Sequence, residues 1–410
     1  MTKHTRLFAA TALVAVAPAV HAAELEVGHW WTSGGEAAAV AELAEAFNAT
    51  GNTWVDGAIA GSGATAIPIM VSRIAGGDPM GAFQFNHGRQ AEELIEAGLL
   101  RDITDIAEAQ GWRDVVNPVS LFDACTLDGR LYCVPMNVQS SQWMWLSNDA
   151  YEQAGVPVPA SWTEFVETAP ALEEAGIVPL AMGQQGWQQS IVFTDLLIGL
   201  VPDEIYLAVL GDKDAEIARG PEMAQVFEAL GDARRLSRGS SVQGWNEATN
   251  MVITGQAGAQ IMGDWAQGEF NLAGQVAGED YSCLPGLGEK DVLLTGGDSI
   301  YFPVLDDPEQ VAAQEALAVT LLEPETQIAF NLRKGSLPVR SDLDLEDVNE
   351  CTRKGLDILA SGNSLPDINI LLTADSVNQL RDLLVEFFAD ADMAPADAQE
   401  RFATIIERAN

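Results

Sequence analysis

Apolar and polar positions alternate along this chain in blocks that predict strands and helices in turn. In residues 36–48, Val40, Leu43 and Phe47 recur at the spacing that places side chains on one helical face. Three short apolar runs are typical of strands: residues 25–31, 53–60 and 82–86. The order β-α-β-α-β predicts an α/β fold with a largely parallel sheet.

Glycine and proline delimit the next helix. We expect it to begin after Gly61-Ser62-Gly63, to hold Pro68 in its first turn and to end at Gly76-Gly77.

The alternation resumes near Asn137 and predicts a second α/β unit. Strands are predicted at residues 142–147 and 293–304. Further helices are predicted at residues 149–154, after Ser161, and at 204–210, 223–236, 308–331 and 374–390. The chain shows no internal repeat, low-complexity tract or long linker, which favours a compact pair of lobes.

Several side chains suited to ligand binding follow the predicted strands of the first unit. In α/β sheets ligands collect beyond the carboxyl ends of the strands. The residues that fall there are Trp30, Trp31, Glu36, Asn86 and His87.

The sequence His29-Trp-Trp-Thr-Ser-Gly-Gly-Glu36 combines two indole rings and a carboxylate at one strand-to-helix turn. Indole faces cover the C–H patches of a sugar, while a carboxylate accepts its hydroxyl protons in charge-assisted hydrogen bonds. The alternative is that both rings are core, since Trp is highly buried on average.

The charge of the chain excludes two classes of partner. With 60 acidic and 21 basic residues, the formal net charge is −39, which repels nucleic acid and anionic membranes. Such an excess of acid is tolerable where salt screens it, and this indicates a marine or salt-tolerant source.

The N-terminal residues have the pattern of a secretory signal. Lys3 and Arg6 precede an apolar run and the site Val20-His21-Ala22. We expect residues 1–22 to be removed, without lipid attachment because no Cys follows, leaving a protein in the periplasm.

Four cysteines in an exported chain suggest disulfides. Cys125 and Cys133 flank Asp128-Gly129, a strong hairpin turn, so a bridge between them is favoured. Cys283 and Cys351 then form the second pair. The other connectivities, and buried free thiols, remain alternatives.

Four segments carry a family resemblance. The first is the Trp-Trp turn, and the others are residues 132–145 with 159–165, residues 251–270, and residues 334–340. The most specific motif among the others is Gly263-Asp-Trp265-Ala. Together the segments resemble the sugar-binding proteins of bacterial ABC importers, in particular the glucose/mannose-binding subgroup of extracellular solute-binding protein family 1.

The resemblance implies a periplasmic-binding-protein-like fold of two α/β lobes that close on a ligand by a hinge. It places residues 23–136 and 294–331 in an N-terminal lobe, and residues 137–293 and 332–410 in a C-terminal lobe. The implied function is delivery of a glucose/mannose-type monosaccharide or small glucoside to an ABC-type membrane permease, by a monomer without cofactor or metal.

The resemblance also assigns site residues. Asn369 stands about where close relatives have a His, so a different hydroxyl pattern or a second sugar ring is expected there. The implied ligand-binding residues are Trp30, Trp31, Glu36, His87, Gln188, Trp265, Asp298, Lys334 and Asn369.

The competing interpretation is a secreted glycoside hydrolase, since Trp and paired carboxylates also build hydrolytic clefts. The sequence contains no Gly-x-Ser-x-Gly, no His-Glu-x-x-His, no phosphate loop and no Cys/His metal cluster. The family resemblance favours the carrier.

Overall fold

The computed structural model describes residues 23–409. The predicted signal, residues 1–22, lies outside the described residues.

The described chain folds into strands and helices in the predicted alternation. The strands are β1 (Glu24–His29), β2 (Thr53–Ala58), β3 (Ala82–Asn86), β4 (Thr126–Leu127), β5 (Arg130–Leu131), β6 (Cys133–Pro135), β7 (Trp143–Ser147), β8 (Val178–Ala181), β9 (Ala257–Ile261), β10 (Tyr281–Pro285), β11 (Leu293–Thr295), β12 (Asp298–Tyr301) and β13 (Ser364–Pro366).

Helices cover both sheets and supply most of the chain beyond β13. They are α1 (Gly34–Ala49), α2 (Gly63–Ala75), α3 (Glu92–Glu96), α4 (Thr104–Gln110), α5 (Trp112–Val115), α6 (Val119–Ala124), α7 (Asn148–Ala154), α8 (Trp162–Glu174), α9 (Gly186–Leu200), α10 (Asp203–Leu210), α11 (Ala215–Ala218), α12 (Pro221–Leu236), α13 (Trp245–Ile253), α14 (Ala266–Leu272), α15 (Pro308–Leu321), α16 (Pro324–Lys334), α17 (Glu350–Ser361), α18 (Ile368–Leu371), α19 (Ala374–Ala389) and α20 (Pro395–Arg408).

The two main sheets are mixed rather than largely parallel. The first has the order β2-β1-β3-β12-β6, in which β12 runs antiparallel to both neighbours. The second has the order β10-β7-β9-β8, in which only β8 and β9 are parallel. We call the layers around these sheets the first and second lobes. The sheets are mixed because chain segments return from the opposite lobe and enter in the reverse direction.

Glycine and proline break two elements that the sequence predicted as continuous. Gly296-Gly297 divides the predicted strand into β11 and β12, and Gly297 has a φ of 157°. Pro324, at the first position of α16, separates it from α15. Pro68 is also displaced from its predicted place, since it lies inside α2 beyond the first turn.

The lobes are joined by segments that cross between them. Val138 bridges Leu337, and Gln139 bridges Gly296. The chain crosses a third time after Ser341. The Ser341 N–H donates to the carbonyl of Val115 at 2.9 Å, so the chain up to this residue lies along the first lobe. The predicted boundaries at residues 294 and 332 stay predictions, and these contacts favour placing them at Gly296-Gly297 and beyond Ser341.

Both disulfides pair as favoured from the sequence. Cys125 bonds to Cys133 across the β4–β5 hairpin, whose turn residues Asp128 and Gly129 have φ values of 51° and 77°. Cys283 bonds to Cys351 and ties β10 to α17. Within residues 23–409, no helix has the length and apolarity required to cross a bilayer.

Candidate functional site

A cavity of about 520 Å³ lies between the lobes, where the carboxyl ends of β1 and β3 face the second lobe. β12 is antiparallel, so its first residue, Asp298, pairs with Asn86 at the last position of β3. Asp298 therefore reaches the same edge of the sheet as Trp30 and His87. The first-lobe wall of the cavity is built at this edge.

The Trp-Trp turn is held by the start of α1. Ser33 caps α1, and its hydroxyl accepts the N–H of Glu36 at 3.3 Å, while the Glu36 carboxylate accepts the N–H of Ser33 at 3.4 Å. The backbone N–H of Trp30 donates to Gln84 Oε1 at 3.0 Å. The half-buried Trp30 ring lines the cavity beside Gly63.

Trp31 occupies a different environment from Trp30. It is only 1 % exposed and packs against Phe330, with ring centroids 5.2 Å apart, and against His29 at 5.7 Å. Both Trp30 and Trp31 line the cavity, so ligand contact by both rings stays a prediction. The burial of Trp31 favours Trp30 as the ring that offers a face for stacking.

A buried ion pair occupies the base of the first-lobe wall. Asp298 is 1 % exposed, and its carboxylate lies 3.2 Å from Lys334 Nζ. Gln84 Nε2 donates to Asp298 Oδ1 at 2.6 Å, and Asn137 Nδ2 donates to Oδ2 at 3.0 Å. These donors compensate the carboxylate, as a buried charge requires, so Asp298 organises the wall.

Lys334 ends α16 and points its ammonium group at the cavity. It donates to Gln139 Oε1 at 3.0 Å and lies 5.6 Å from the centroid of the Trp265 ring. The contacts to Asp298 and Gln139 use two of its three protons. The third is available to a ligand hydroxyl.

Two further buried carboxyls share the field of Lys334. Burial raises the pKa of Glu36 to about 7, against the lowering effect of Lys334 and with a raising effect of Asp298. Burial likewise raises the pKa of Asp264 to about 7, and Lys334 again opposes the shift. Asp264 stands behind the wall, where its Oδ2 accepts the N–H of Ser140 at 2.9 Å.

His87 presents an uncommitted imidazole to the cavity. It is 1 % exposed, and neither ring nitrogen has a hydrogen-bond partner among the described residues. Burial lowers its pKa to about 4, so the ring is neutral at pH 7 and offers one donor and one acceptor. A Cβ at Gly297 would lie 2.8 Å from His87 Cε1, so the glycine makes room for the ring.

The second-lobe wall is aromatic. Trp187 lies in the first turn of α9, Trp245 begins α13 and Trp265 precedes α14. The Trp265 centroid is 6.2 Å from that of Trp187 and 6.4 Å from that of Trp245, and the latter pair meets edge to face. Sequence reasoning missed Trp245. A usable signal was present, since Gly186 and Gly244 each precede a Trp at a helix start.

Gln188, which was predicted to bind the ligand, lies off the cavity wall. It is 0 % exposed, its Oε1 accepts the N–H of Gly183 at 2.9 Å, and its Nε2 donates to the carbonyl of Gln243 at 3.2 Å. Its neighbours Gln185 and Trp187 line the cavity instead. Adjacent side chains on a helix point about 100° apart, so Trp187 and Gln188 face different sides of α9. Ligand contact by Gln188 stays a prediction that this arrangement does not favour.

Asn369 lies in α18 and lines the far part of the cavity. Its side-chain amide donates to Asp367 Oδ1 at 2.7 Å. Burial raises the pKa of Asp367. In the described part of the chain, no group of three or more His, Cys, Asp or Glu side chains is arranged to hold a metal ion.

Comparison with known proteins identifies the family. The model of the bacterial extracellular solute-binding protein family matches residues 31–326. The chain belongs to this family. A probable sugar-binding periplasmic protein of Rhizobium meliloti (strain 1021) is 35% identical over 368 residues, which cover 89% of this chain and 88% of the relative.

Two further likenesses agree with this assignment. A probable sugar-binding periplasmic protein of Brucella melitensis is 35% identical over 363 residues, covering 87% of this chain and 85% of the relative. Among solved structures, a chitin oligosaccharide binding protein superposes with a TM-score of 0.77 at 18% identity, covering 95% of this chain and 99% of that chain. The fold of this solute-binding protein is therefore the α/β periplasmic-binding-protein fold.

Family membership decides between the two interpretations of the cleft. The family consists of solute-binding proteins and not of enzymes, so the glycoside hydrolase alternative is set aside.

Proposed function

We propose that this chain binds a sugar in the periplasm and delivers it to the permease of an ABC importer. The sugar is a glucose/mannose-type monosaccharide or a small glucoside. Two relatives that are 35% identical over most of both chains are described as probable sugar-binding periplasmic proteins. A more distant relative from Pyrococcus horikoshii is described as an ABC transporter extracellular-binding protein. These descriptions support both the ligand class and the partner.

The observation that carries the proposal is the pairing of an aromatic wall with a polar wall across one cavity. Trp187, Trp245 and Trp265 offer ring faces and edges from the second lobe, and Trp30 offers one from the first. Apolar ring faces suit the C–H patches of a pyranose. The hydroxyl groups of the same ring meet the charged and polar groups of the first lobe, where charge-assisted hydrogen bonds are strongest.

Individual roles follow from the geometry. Lys334 donates its third hydrogen bond to a sugar hydroxyl, and Glu36 accepts a hydrogen bond from another hydroxyl. Neutral His87 can donate or accept a hydrogen bond. Asp298 holds Lys334 in place. Asn369, whose backbone lies against Gly88 beside His87, contacts a hydroxyl group of the sugar or a second ring.

Closure of the lobes by a hinge explains how the ligand is held and released. The crossing segments at Val138–Leu337 and Gln139–Gly296 supply the hinge, and residues contributed by both lobes line the cavity. A ligand that touches both walls stabilises the closed form over the open one by its differential contacts. A monomer is sufficient for this action.

A panel of ligands tests the proposal directly. Mature protein is heated with glucose, mannose, galactose, xylose and small glucosides, and the melting temperature is followed. Positive ligands are then titrated calorimetrically. We expect one or a few sugars to raise the melting temperature, and the same mixtures assayed for new reducing ends to show no turnover.

A matched pair of variants checks that the signal arises in the cleft. Trp187→Ala removes a lining ring, whereas Leu272→Ala removes an exposed apolar side chain at the end of α14. The sugar-induced shift should disappear only in the first. A panel in which no sugar raises the melting temperature, with D-glucuronate and D-galacturonate included beside the neutral sugars, would overturn the proposal.

A further inference from the structure

One face of α19 forms the far part of the cavity. Ala374, Val377, Asn378 and Arg381 all line it, at the spacing of three and four residues that places side chains on one side of a helix. These residues belong to the second lobe and complement the part of the wall that contains Asn369. A ligand that reaches past the tryptophan rings therefore meets α19.

Arg381 is the charged group on this face, and its environment is unusual for this chain. Its Nη1 donates to Asn378 Oδ1 at 3.2 Å, and its Nε is buried without a hydrogen-bond partner. Among the described residues, no carboxylate lies within ion-pair distance of it, and its chain neighbour Asp382 is the opposing charge that acts on it. In a protein with 60 acids and 21 bases, an arginine in the ligand cavity without an acid partner has unused donors.

The position of Arg381 is fixed close to the aromatic wall. A Cβ at Gly186 would lie 3.0 Å from Arg381 Cγ and 3.3 Å from Cδ, so the aliphatic part of the arginine rests on this glycine. Gly186 immediately precedes Trp187. The aliphatic part of Arg381 is thus held at the start of α9, and Arg381 and Trp187 line the same cavity.

The charge balance of the cavity differs from that of the whole chain. Its lining holds three acids, Glu36, Asp298 and Asp367, and three bases, Arg89, Lys334 and Arg381. Asp298 is paired with Lys334. Arg89 pairs with Glu92. The lining is thus balanced in charge, whereas the chain as a whole is strongly acidic, so the cavity repels an anion less than the acidic surface does.

We propose that the sugar is an acidic form of such a ligand, a hexuronate alone or at one end of a disaccharide, with its carboxylate on Arg381 and a sugar ring on the tryptophan wall. A guanidinium presents a planar fork of donors that matches a carboxylate in two parallel hydrogen bonds. This inference rests on the proposed sugar-binding function and specifies its ligand.

Calorimetric titration of the mature protein with matched acidic and neutral sugars tests the proposal. The probes are D-glucuronate, D-galacturonate and digalacturonate, against D-glucose, D-galactose and D-mannose. We expect at least one uronate to bind about 10-fold or more tightly than the corresponding neutral sugar, and its affinity to fall as NaCl rises.

Substitution of Arg381 locates the carboxylate. Arg381→Gln should weaken uronate binding by about 10- to 100-fold, the effect of losing charged hydrogen bonds, and weaken neutral-sugar binding by a much smaller factor. Arg381→Lys keeps the charge without the fork and should fall between. Arg235→Gln is the matched control, since Arg235 pairs with Asp232 on the surface of α12.

The outcomes separate this inference from the function beneath it. Neutral sugars that bind as tightly as uronates, or equal losses for both in Arg381→Gln, would overturn the acidic-sugar proposal and leave the sugar carrier intact. Absence of binding by every sugar would overturn both. If Arg381→Gln fails to fold, the Arg381→Lys variant and the salt dependence of the wild type decide.

Discussion

The first-lobe wall of the cavity contains buried charges, whereas the second-lobe wall contains tryptophan rings. Asp298, Lys334 and His87 are each 1 % exposed, and the first two satisfy each other before any ligand arrives. The tryptophans contact one another instead. The difference indicates a division of labour. The polar wall is prearranged and its integrity affects folding, while the aromatic wall supplies adaptable contact area and mainly affects binding.

The largest expected effect tests whether the polar wall is structural. Lys334→Met leaves the Asp298 carboxylate buried without its counter-charge, which should lower the free energy of unfolding by about 3–5 kcal/mol. Chemical denaturation measures this value. The control is Lys354→Met, because Lys354 pairs with Glu350 at a partly exposed site and its loss should cost less than about 1 kcal/mol.

A double variant sharpens the same comparison. Lys334→Met with Asp298→Asn removes both charges, and we expect it to recover part of the stability lost by Lys334→Met. A single variant as stable as the wild type would show that the ion pair is not needed for folding.

Of the adjacent residues Trp30 and Trp31, the first lines the cavity with a half-buried ring and the second packs in the core of the first lobe. Trp31→Ala empties a buried position and should cost about 3–5 kcal/mol of stability. Trp30→Ala should cost less but remove ligand-induced stabilisation, because its half-buried ring faces the cavity. Melting temperatures with and without ligand give both values. Equal apo destabilisation in the two variants would contradict this division.

The same pair shows how far the sequence could lead. The strand β3 was predicted with its observed bounds, because Gly81 precedes it and polar residues follow it. Both disulfides were also accessible, because the Asp128-Gly129 turn favours the first pair and leaves the second. Other strand bounds differed by one or two residues, as at β1 (Glu24–His29) and β2 (Thr53–Ala58). The sequence could not show which of two neighbouring residues faces the cavity. At Trp30 and Trp31, and at Trp187 and Gln188, the side that faces the cavity depends on the elements packed against the pair.

Other members of the site could be found from the sequence only in part, since the Gly-Trp pattern marks Trp245 and no local pattern marks Arg381. Trp245 and Arg381 lie in helices whose sequences resemble core and solvated surface respectively. Only the packing of α9, α13 and α19 around one cavity brings them together. Residues distant in sequence become neighbours through tertiary structure, which no local pattern reports.

The aromatic wall should respond to substitution mainly through binding. Trp187→Ala removes a half-buried ring and should weaken sugar binding by roughly 2–3 kcal/mol, the range typical of central aromatic contacts. Its unfolding free energy should change much less than that of Lys334→Met. Calorimetric titration and denaturation of the same preparation compare the two effects. A variant that loses stability but keeps its affinity would reverse the assignment of the walls.

The smallest expected effect concerns the pH dependence of the polar wall. The pKa of Glu36 is raised to about 7 in the folded protein from its ordinary value near 4.5, so the folded state binds more protons between these values. Stability contributed by protonated Glu36 is therefore present below about pH 4.5 and is lost as the pH rises towards 7. Glu36→Gln cannot lose a proton, so its stability relative to the wild type should increase by roughly 2 kcal/mol between pH 5 and pH 8.

Comparing the variant with the wild type removes the contributions of other groups. The pKa of His87 is lowered to about 4, so His87 acts in the opposite direction. The stability that neutral His87 contributes to the protein is lost as the pH falls from 6.5 towards 4. Asp264 acts in the same direction as Glu36. Both groups are retained in Glu36→Gln, so they cancel in the difference to the extent that their titrations are independent of Glu36. Glu45→Gln, an exposed position on the same helix, should show no such pH-dependent difference. A flat difference for Glu36→Gln as well would mean that Glu36 stays charged in the folded protein, so the polar wall would hold a full negative charge for the ligand.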